Sequence, residues 1–219
     1  MRPMEDKLSI VSIEENLIKA NEKAASEINN IFRKRNIKSF DIVGSVGAGK
    51  TSLLEKIVEV LKKKYRIAVI TGDVTTRIDA DRISRHGVET LQINTGRECA
   101  LTAFFLKEAL KKINLDNVDV LFVENVGNLI CPADYVLGCD KRIVVVSITE
   151  GPYVVKKHPL LFKNSDIAVI NKIDLKDVVG VDPQEVANDA LAINPNIKVV
   201  LTSAKTGEGL NKLLSVMEL

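Results

Sequence analysis

The chain has 219 residues, 46% of them hydrophobic, and its 31 basic and 29 acidic side chains leave a net charge of +2. This length and apolar content are enough for one large α/β domain. The balanced charge argues against nucleic acid as a partner, and the lack of a long uncharged apolar run argues against a membrane span. With three scattered cysteines and no sign of a signal peptide, we expect free thiols and a cytoplasmic location.

The first predicted element is an amphipathic helix over about residues 12–35. Ser12 and Glu15 have the spacing of a capping box, which predicts that the helix starts there. Apolar residues then recur at helical spacing: Ile13, Leu17, Ala20, Ala24, Ile28 and Ile31. We expect this face to pack on the rest of the chain; contact with a partner is the alternative.

A phosphate-binding loop follows. Residues 44–51 match the pattern G-x-x-x-x-G-K-[ST] and lie between a predicted strand at 39–43 and a predicted helix. Glycines let successive N–H groups point into one concavity at the positive end of the helix, where phosphate binds. We expect Lys50 to reach the β- and γ-phosphates and Thr51 to ligate Mg²⁺. The predicted loop contacts are Gly44, Ser45, Val46, Gly47, Ala48, Gly49, Lys50, Thr51 and Ser52.

Further apolar segments predict strands at 67–70, 90–93, 118–123, 142–148, 166–170 and 197–201. Helices are predicted near 183–193 and 207–218, and a third is predicted to open at Thr95, where Thr95 and Glu98 form a second capping box. Uniformly apolar strands alternating with helices indicate a mainly parallel sheet of about seven strands, covered on both faces. We therefore predict a P-loop NTPase three-layer sandwich, as one domain over residues 1–219.

The nucleotide is predicted from residues 171–174, which read N-K-x-D, the guanine-specificity motif of GTPases. The Asp174 carboxylate can accept from both the N1–H and the 2-amino group of guanine, and adenine offers neither donor. Two charge-assisted bonds discriminate by roughly 10²–10⁴-fold. Asn171 is expected to tie the base to the phosphate loop, and the Lys172 stem is expected to lie over the purine.

A second base-reading loop is predicted at Ser203-Ala204-Lys205. It resembles the S-A-K loop that accompanies N-K-x-D, whose Ala backbone N–H reads the guanine O6. The order of the three motifs, each after a predicted strand, indicates GTP.

Catalysis of phosphoryl transfer needs charge, metal and water around the γ-phosphate. Asp73 and Glu124 end predicted strands and are candidates to bind Mg²⁺, directly or through water; Asp73 is also a candidate to orient the attacking water. The Gly127 backbone N–H is predicted to approach the γ-phosphate, with Lys50 as the fourth catalytic residue. No glutamine stands where a Ras-like protein positions water, so we expect slow turnover. Each carboxylate could instead be a solvated turn residue or a helix cap.

Four stretches together resemble the hydrogenase nickel-incorporation GTPases, the HypB family, which are related to the urease-accessory GTPases. They are 72–74, 94–99, 124–132 and 171–174, and the most specific of them is 124–132. The resemblance covers about residues 12–219. It implies a GTPase that forms a GTP-dependent homodimer and helps deliver nickel to the [NiFe]-hydrogenase precursor. The implied partners are a second nickel accessory protein and the hydrogenase large subunit.

Cys99 and Cys131 are the candidate Ni²⁺ or Zn²⁺ ligands. Cys99 is predicted in the first turns of a capped helix, whose dipole favours thiolate. Two thiolates do not close a tetrahedral site, but a two-fold dimer supplies four. Zn²⁺ would accept that set tetrahedrally and Ni²⁺ in a square plane. The alternative is a pair of small buried cysteines, and we expect Cys139 and the two histidines to be structural.

Two departures from the family leave other functions open. Family members usually have Cys-His where this chain has Cys99-Ala100, and the Cys/His-rich N-terminal nickel motif of some members is missing. One alternative is therefore a GTP-gated binding module with a vestigial metal site. Another is a GTP-dependent chaperone for a different metalloenzyme or a cobalamin enzyme.

Overall fold

The protein is described here by a computed structural model, which covers the backbone of residues 4–219 and the side chains of residues 16–219. Its sheet has seven strands in the order β3-β2-β4-β1-β5-β6-β7, and every neighbouring pair is parallel. The strands are β1 Lys38–Gly44, β2 Ile67–Asp73, β3 Glu89–Asn94, β4 Val120–Glu124, β5 Lys141–Ser147, β6 Ile167–Asn171 and β7 Lys198–Leu201. The predicted α/β fold with a mainly parallel sheet of about seven strands is confirmed.

Helices connect the strands. They are α1 Met4–Arg35, α2 Lys50–Leu61, α3 Ile78–Ser84, α4 Ala103–Leu110, α5 Val154–Lys157, α6 Pro159–Lys163, α7 Lys176–Val179, α8 Pro183–Ile193 and α9 Leu210–Met217. In the part of the chain that the structure covers, no helix has both the length and the apolar character needed to cross a bilayer.

Alternate residues of the buried strands point to opposite faces of the sheet and build separate cores. Phe40, Phe122 and Val145 belong to the core on one face, beneath α2 and α9. The other face carries two cores, one beneath α1 and α4 and one beneath α5, α6 and α8. Because both faces are covered by helices, the central strands are mainly apolar rather than alternating apolar and polar residues.

The first helix packs on the sheet as expected, and Ala24 and Ile28 of its predicted face are buried there. Its N-terminal boundary and the first part of that face were predicted wrongly. The helix begins at Met4, so Ser12 lies inside it, and the side chains of the proposed capping box fall outside the described residues. Leu17 is 57% exposed, whereas Asn21 is 1% exposed. Asn21 is buried because its amide donates to the Val136 carbonyl and accepts from the Ala103 N–H.

The helix predicted to open at Thr95 starts later than expected: residues 95–102 form a loop, and α4 begins at Ala103. The Thr95 hydroxyl donates to the Glu98 carbonyl instead of capping a helix. Side chains from distant segments fix this loop, since Asn125 accepts from the Leu101 N–H at 2.9 Å. Cys99 therefore lies in an anchored loop, and the prediction that a helix dipole favours its thiolate is wrong.

Candidate functional site

The phosphate-binding loop leaves β1 at its carboxyl end and turns directly into α2. Gly47 and Gly49 have φ of +80° and +97°, which only glycine adopts without strain. A side chain at Gly49 would also collide with the Asn171 amide. The loop lines a cavity of about 480 Å³ together with the ends of β2 and β4.

Lys50 is buried against its own loop. Its ammonium donates to the Gly44 and Ser45 carbonyls at 3.1 and 3.0 Å. Burial lowers the Lys50 pKa, and the nearby Glu124 carboxylate opposes that shift. The Lys50 ammonium thus lies at the floor of the cavity, within reach of groups that enter it.

Glu124 ends β4 behind Thr51, and its Oε1 accepts from the Thr51 hydroxyl at 2.7 Å. Its Oε2 is buried and has no hydrogen-bond partner. Burial raises the pKa of Glu124 to about 7, against the opposing effects of Lys50 and Thr51. A hydroxyl and a buried carboxylate oxygen are hard ligands of the kind Mg²⁺ takes, so these residues fit a magnesium ion.

Asp73, the second predicted carboxylate, is committed to its own turn. It accepts from the Thr75 and Thr76 N–H groups and from the Thr76 hydroxyl, the last at 2.6 Å. Partial burial acts to raise the pKa of Asp73, but these hydrogen bonds outweigh it and leave the pKa below its ordinary value. Asp73 lines the cavity as an ionised group, with both carboxylate oxygens already accepting hydrogen bonds from its own turn.

Two cavity residues were missed by the sequence analysis. Asp79 and Arg82 of α3 line the same cavity, and Asp79 lies close enough to oppose the lowering of the Lys50 pKa. Arg82 donates to Ser52 at 2.9 Å and pairs with Glu55 at 2.6 Å. The signal was available, because both residues follow the β2 turn, at the sheet edge where ligands bind.

Gly127 lies against the phosphate loop. A Cβ atom there would stand 2.5 Å from Val46 Cγ2 and 3.1 Å from the Val46 backbone nitrogen. Glycine therefore brings the backbone after β4 close to the loop, and this backbone lines the cavity. The approach of its N–H to the γ-phosphate stays a prediction.

The N-K-x-D residues lie beside a second cavity of about 500 Å³, which shares Gly49, Ser52 and Lys172 with the first. Asn171 donates to the Ala48 carbonyl at 2.9 Å and so ties β6 to the phosphate loop; its tie to the base stays a prediction. Lys172 adopts the left-handed conformation at φ +62°, a strained backbone of the kind that clusters at binding sites. Asp174, Ala204 and Lys205 also line this cavity.

The S-A-K loop holds these residues in place. Buried Ser203 donates to Asp174 Oδ1 at 2.6 Å and so fixes the carboxylate. The Ala204 N–H donates to Asn171 Oδ1 at 3.1 Å. The donor that was predicted to read the guanine O6 is therefore already engaged, and reading O6 requires this bond to be shared or exchanged.

Cys99 and Cys131 meet although 32 residues separate them. Their Cα atoms are 6.1 Å apart, and the structure joins them as a disulfide. This differs from the expectation of free thiols, because anchored loops bring the two sulfurs together. Cys99 is exposed and Cys131 partly exposed, whereas Ala100 is buried. The reduced pair would present two thiols at the surface.

No further metal ligand joins the pair: across the residues whose side chains are described, no group of three or more His, Cys, Asp or Glu side chains is arranged to hold a metal ion. Cys139 packs against the core beneath α1 and α4, and burial raises the pKa of its thiol well above the ordinary value. His158 Nδ1 bonds to the Val154 carbonyl. Both fit structural roles.

Comparison with known proteins gives the family. Residues 39–201 match the nucleotide-binding domain shared by CobW, HypB and UreG. A probable hydrogenase maturation factor HypB from Methanocaldococcus jannaschii is 48% identical over 211 residues, which cover 96% of each chain. This chain belongs to the HypB family. The resemblance predicted from its motifs is confirmed.

Two solved HypB structures agree with this fold. The hydrogenase maturation factor HypB from Archaeoglobus fulgidus has a TM-score of 0.85 and 38% identity, covering 91% of this chain and 98% of that one. HypB from Helicobacter pylori, solved in complex with nickel, has a TM-score of 0.84 and 33% identity, covering 91% and 95%. The matched nucleotide-binding domain thus includes nearly the whole sheet and every residue that lines the first cavity, whereas Ala204 and Lys205 of the second cavity lie just beyond it.

Proposed function

We propose that this protein is a GTP-hydrolysing metallochaperone that assists nickel insertion into [NiFe]-hydrogenase, and that its 219 residues act as one P-loop GTPase domain. The observation that carries the proposal is the path from Lys50 through Gly44 and Asn128 to Cys131. It joins the phosphate cavity to the cysteine pair within one chain.

The nucleotide half of the proposal rests on the two adjoining cavities. The loop N–H groups and Lys50 bind the phosphates, while Thr51 and the unpartnered Glu124 oxygen hold Mg²⁺, which neutralises charge on the phosphates when bound. The Gly127 N–H contacts the γ-phosphate. Asp73, freed from its turn, orients the attacking water. Asp174, fixed by Ser203, selects guanine.

The metal half rests on the incomplete thiol pair. Two thiolates on one chain do not fill a four-coordinate site. Because Cys99 is exposed, a second copy related by a two-fold axis can bring its own pair to the same ion. The nickel complex of the Helicobacter pylori relative supports nickel as the cargo; Zn²⁺ also suits a thiolate set.

The coupling between the halves rests on Asn128. Its N–H donates to the Gly44 carbonyl at 3.0 Å, the same oxygen that accepts from Lys50. Its side-chain amide donates to Cys131 Sγ at 3.3 Å. When Lys50 turns toward a phosphate, the Gly44 carbonyl loses the hydrogen bond from Lys50. The remaining hydrogen bond from the Asn128 N–H then changes, and with it the hydrogen bond from the Asn128 side chain to the Cys131 sulfur. GTP therefore alters both dimerisation and metal affinity.

Calorimetric titration of the reduced protein with Ni²⁺, with and without a non-hydrolysable GTP analogue, tests this function alongside phosphate release from GTP. We expect GTP hydrolysis, and one metal per two chains bound more tightly with the analogue. Cys99→Ala/Cys131→Ala should lose the metal. The matched control, Cys139→Ala, should keep it. Metal binding that ignores the cysteine pair, or absence of GTP hydrolysis, would contradict the proposal.

A second candidate is a GTP-gated binding module whose metal site is vestigial. Ala100 favours it, because this residue replaces the usual family histidine and is buried. In that case the analogue would still drive dimerisation, but the reduced protein would bind neither Ni²⁺ nor Zn²⁺ in the titration above.

A further inference from the structure

A buried polar cluster lies inside the sheet, between the core beneath α1 and α4 and the core beneath α5, α6 and α8. It consists of Asp41 on β1, Asn125 directly after β4, and Arg142 on β5, with exposed fractions of 2%, 1% and 6%. Arg142 Nε donates to Asp41 Oδ2 at 2.8 Å, and Asn125 Nδ2 donates to Asp41 Oδ1 at 3.3 Å. The GTPase chemistry proposed above uses neither Asp41 nor Arg142.

A contribution to folding stability is a weak explanation for a buried ion pair of this kind. Removing two charges from water costs about as much as their attraction returns, and well-packed apolar residues of similar volume are often as stable or more so. The outward hydrogen bonds of the cluster give it a more specific role.

These bonds lead to both cysteine loops. Arg142 Nη1 donates to the Pro132 carbonyl at 2.9 Å, and its Nη2 donates to the Tyr135 carbonyl at 2.6 Å. Pro132 is the residue after Cys131. On the other side, Asn125 Oδ1 accepts from the N–H of Leu101 at 2.9 Å, two residues beyond Cys99. One three-residue cluster thus anchors both loops that carry the thiols.

We propose that Asp41, Asn125 and Arg142 are the positioning residues of the cysteine pair. They hold the two loops at the separation at which both sulfurs bind one metal ion, so the inference rests on the proposed function for its ligand. A guanidinium group is planar, so its N–H donors point in fixed directions. Asp41 accepts from Nε and so fixes the orientation of the group, which leaves the two Nη atoms to bind the loop carbonyls. Residues that orient metal ligands in this way set the affinity of the site.

Arg142→Lys is the sharpest test. Lysine keeps a cation beside Asp41 but cannot reproduce the fork that holds two loop carbonyls. Asn125 is less suitable, because it also accepts from the Val126 N–H and lines the phosphate cavity. A control for lost stability is Leu213→Ala, a fully buried residue of α9 in the core on the opposite face of the sheet.

The first readout is the thiol–disulfide equilibrium with glutathione. The two thiols give two electrons and two protons to one glutathione disulfide, which leaves as two glutathiones. The equilibrium constant for forming the Cys99–Cys131 disulfide in this reaction therefore measures how well the two sulfurs are held together. The second readout is the Ni²⁺ affinity of the reduced protein. We expect Arg142→Lys to lower the first constant and to weaken nickel binding by roughly 10–100-fold. The dissociation constant of Arg142→Lys for GTP should stay near the parent value. In the Leu213→Ala control, the glutathione equilibrium constant and the Ni²⁺ affinity should also stay near the parent values.

Parent-like values of both constants in Arg142→Lys would overturn the inference, as would equal losses in Leu213→Ala. If Arg142→Lys does not fold, Asp41→Leu/Arg142→Met replaces the ion pair by apolar residues and removes the same two loop bonds. If the parent binds no metal, the proposed function fails, while the glutathione equilibrium still tests the positioning role by itself.

Discussion

Glu124→Gln should change how the stability of the nucleotide-free protein depends on pH. Burial gives the folded protein a Glu124 pKa of about 7 in place of 4.5. Below pH 4.5 the carboxyl is protonated in both states, and no difference arises. As pH rises toward 7, the unfolded chain releases the proton that the folded protein keeps, so the free energy of unfolding falls. Above pH 7 the shifted pKa of Glu124 has lowered the free energy of unfolding by roughly 3 kcal/mol relative to its contribution below pH 4.5.

Glutamine keeps an oxygen for the Thr51 hydroxyl and carries no charge. The free energy of unfolding of the variant should therefore lack the fall that Glu124 causes as pH rises toward 7. Urea unfolding with a chelator at pH 5, 6, 7 and 8 measures it, and Glu59→Gln, an exposed position of α2, is the control. The free energy of unfolding of the variant, relative to that of the parent, should increase by roughly 2–3 kcal/mol between pH 5 and pH 8. Adding GTP with Mg²⁺ should stabilise the parent more than the variant. A stability difference between variant and parent that is the same at pH 5 and pH 8 would refute the reasoning.

Three further substitutions test the nucleotide site. Asp174→Asn should exchange guanine for xanthine preference, because the amide can donate to the xanthine 2-oxo group; tight GTP binding by this variant would contradict the base assignment. Lys50→Ala should abolish GTP binding or hydrolysis with unchanged circular dichroism, and normal turnover would remove Lys50 from the site. Gly127→Ala should lower the hydrolysis rate at least tenfold, since its Cβ displaces Val46 and costs at least ~1.4 kcal/mol of transition-state binding; a parent-like rate would show that Gly127 does not approach the phosphate.

The parts that sequence patterns predicted best are those fixed by local geometry. The phosphate loop needs glycine between a strand and a helix, so its spacing carries the conformation. Most strands of the sheet are short, mainly apolar runs with turn residues after them, and their number and parallel arrangement were predicted correctly. Helix α8 was likewise predicted at its observed bounds, since Asp182 caps it and Pro183 opens it.

The parts that failed depend on contacts between distant segments. The Thr95 capping box does not start a helix, because Asn125 and Asn21 fix the backbone at Leu101 and Ala103. No local pattern contains that information. The same holds for the meeting of Cys99 with Cys131, which depends on loops anchored across three strands.

Other misses arose from ambiguity within local patterns. A Ser-x-x-Glu spacing also occurs inside a helix, and α1 continues back to Met4 past Ser12. Polar Asn21 is buried because its amide satisfies two backbone groups, which hydrophobic periodicity cannot reveal. Asp79 and Arg82 follow the β2 turn, at the sheet edge where ligands bind, but charged residues on a short helix also form ordinary solvated faces; their position beside the phosphate loop identifies them as cavity residues.

Sedimentation velocity of the reduced protein tests the central claim, that GTP and metal act through one shared site. The parent should dimerise with a non-hydrolysable GTP analogue, and Ni²⁺ should strengthen that dimer by ~5–150-fold, since coupling is reciprocal. Cys99→Ala/Cys131→Ala should still dimerise with the analogue but should not respond to Ni²⁺. A monomer that binds Ni²⁺ with the analogue present, or a double variant whose dimer responds to Ni²⁺ as the parent does, would contradict the account.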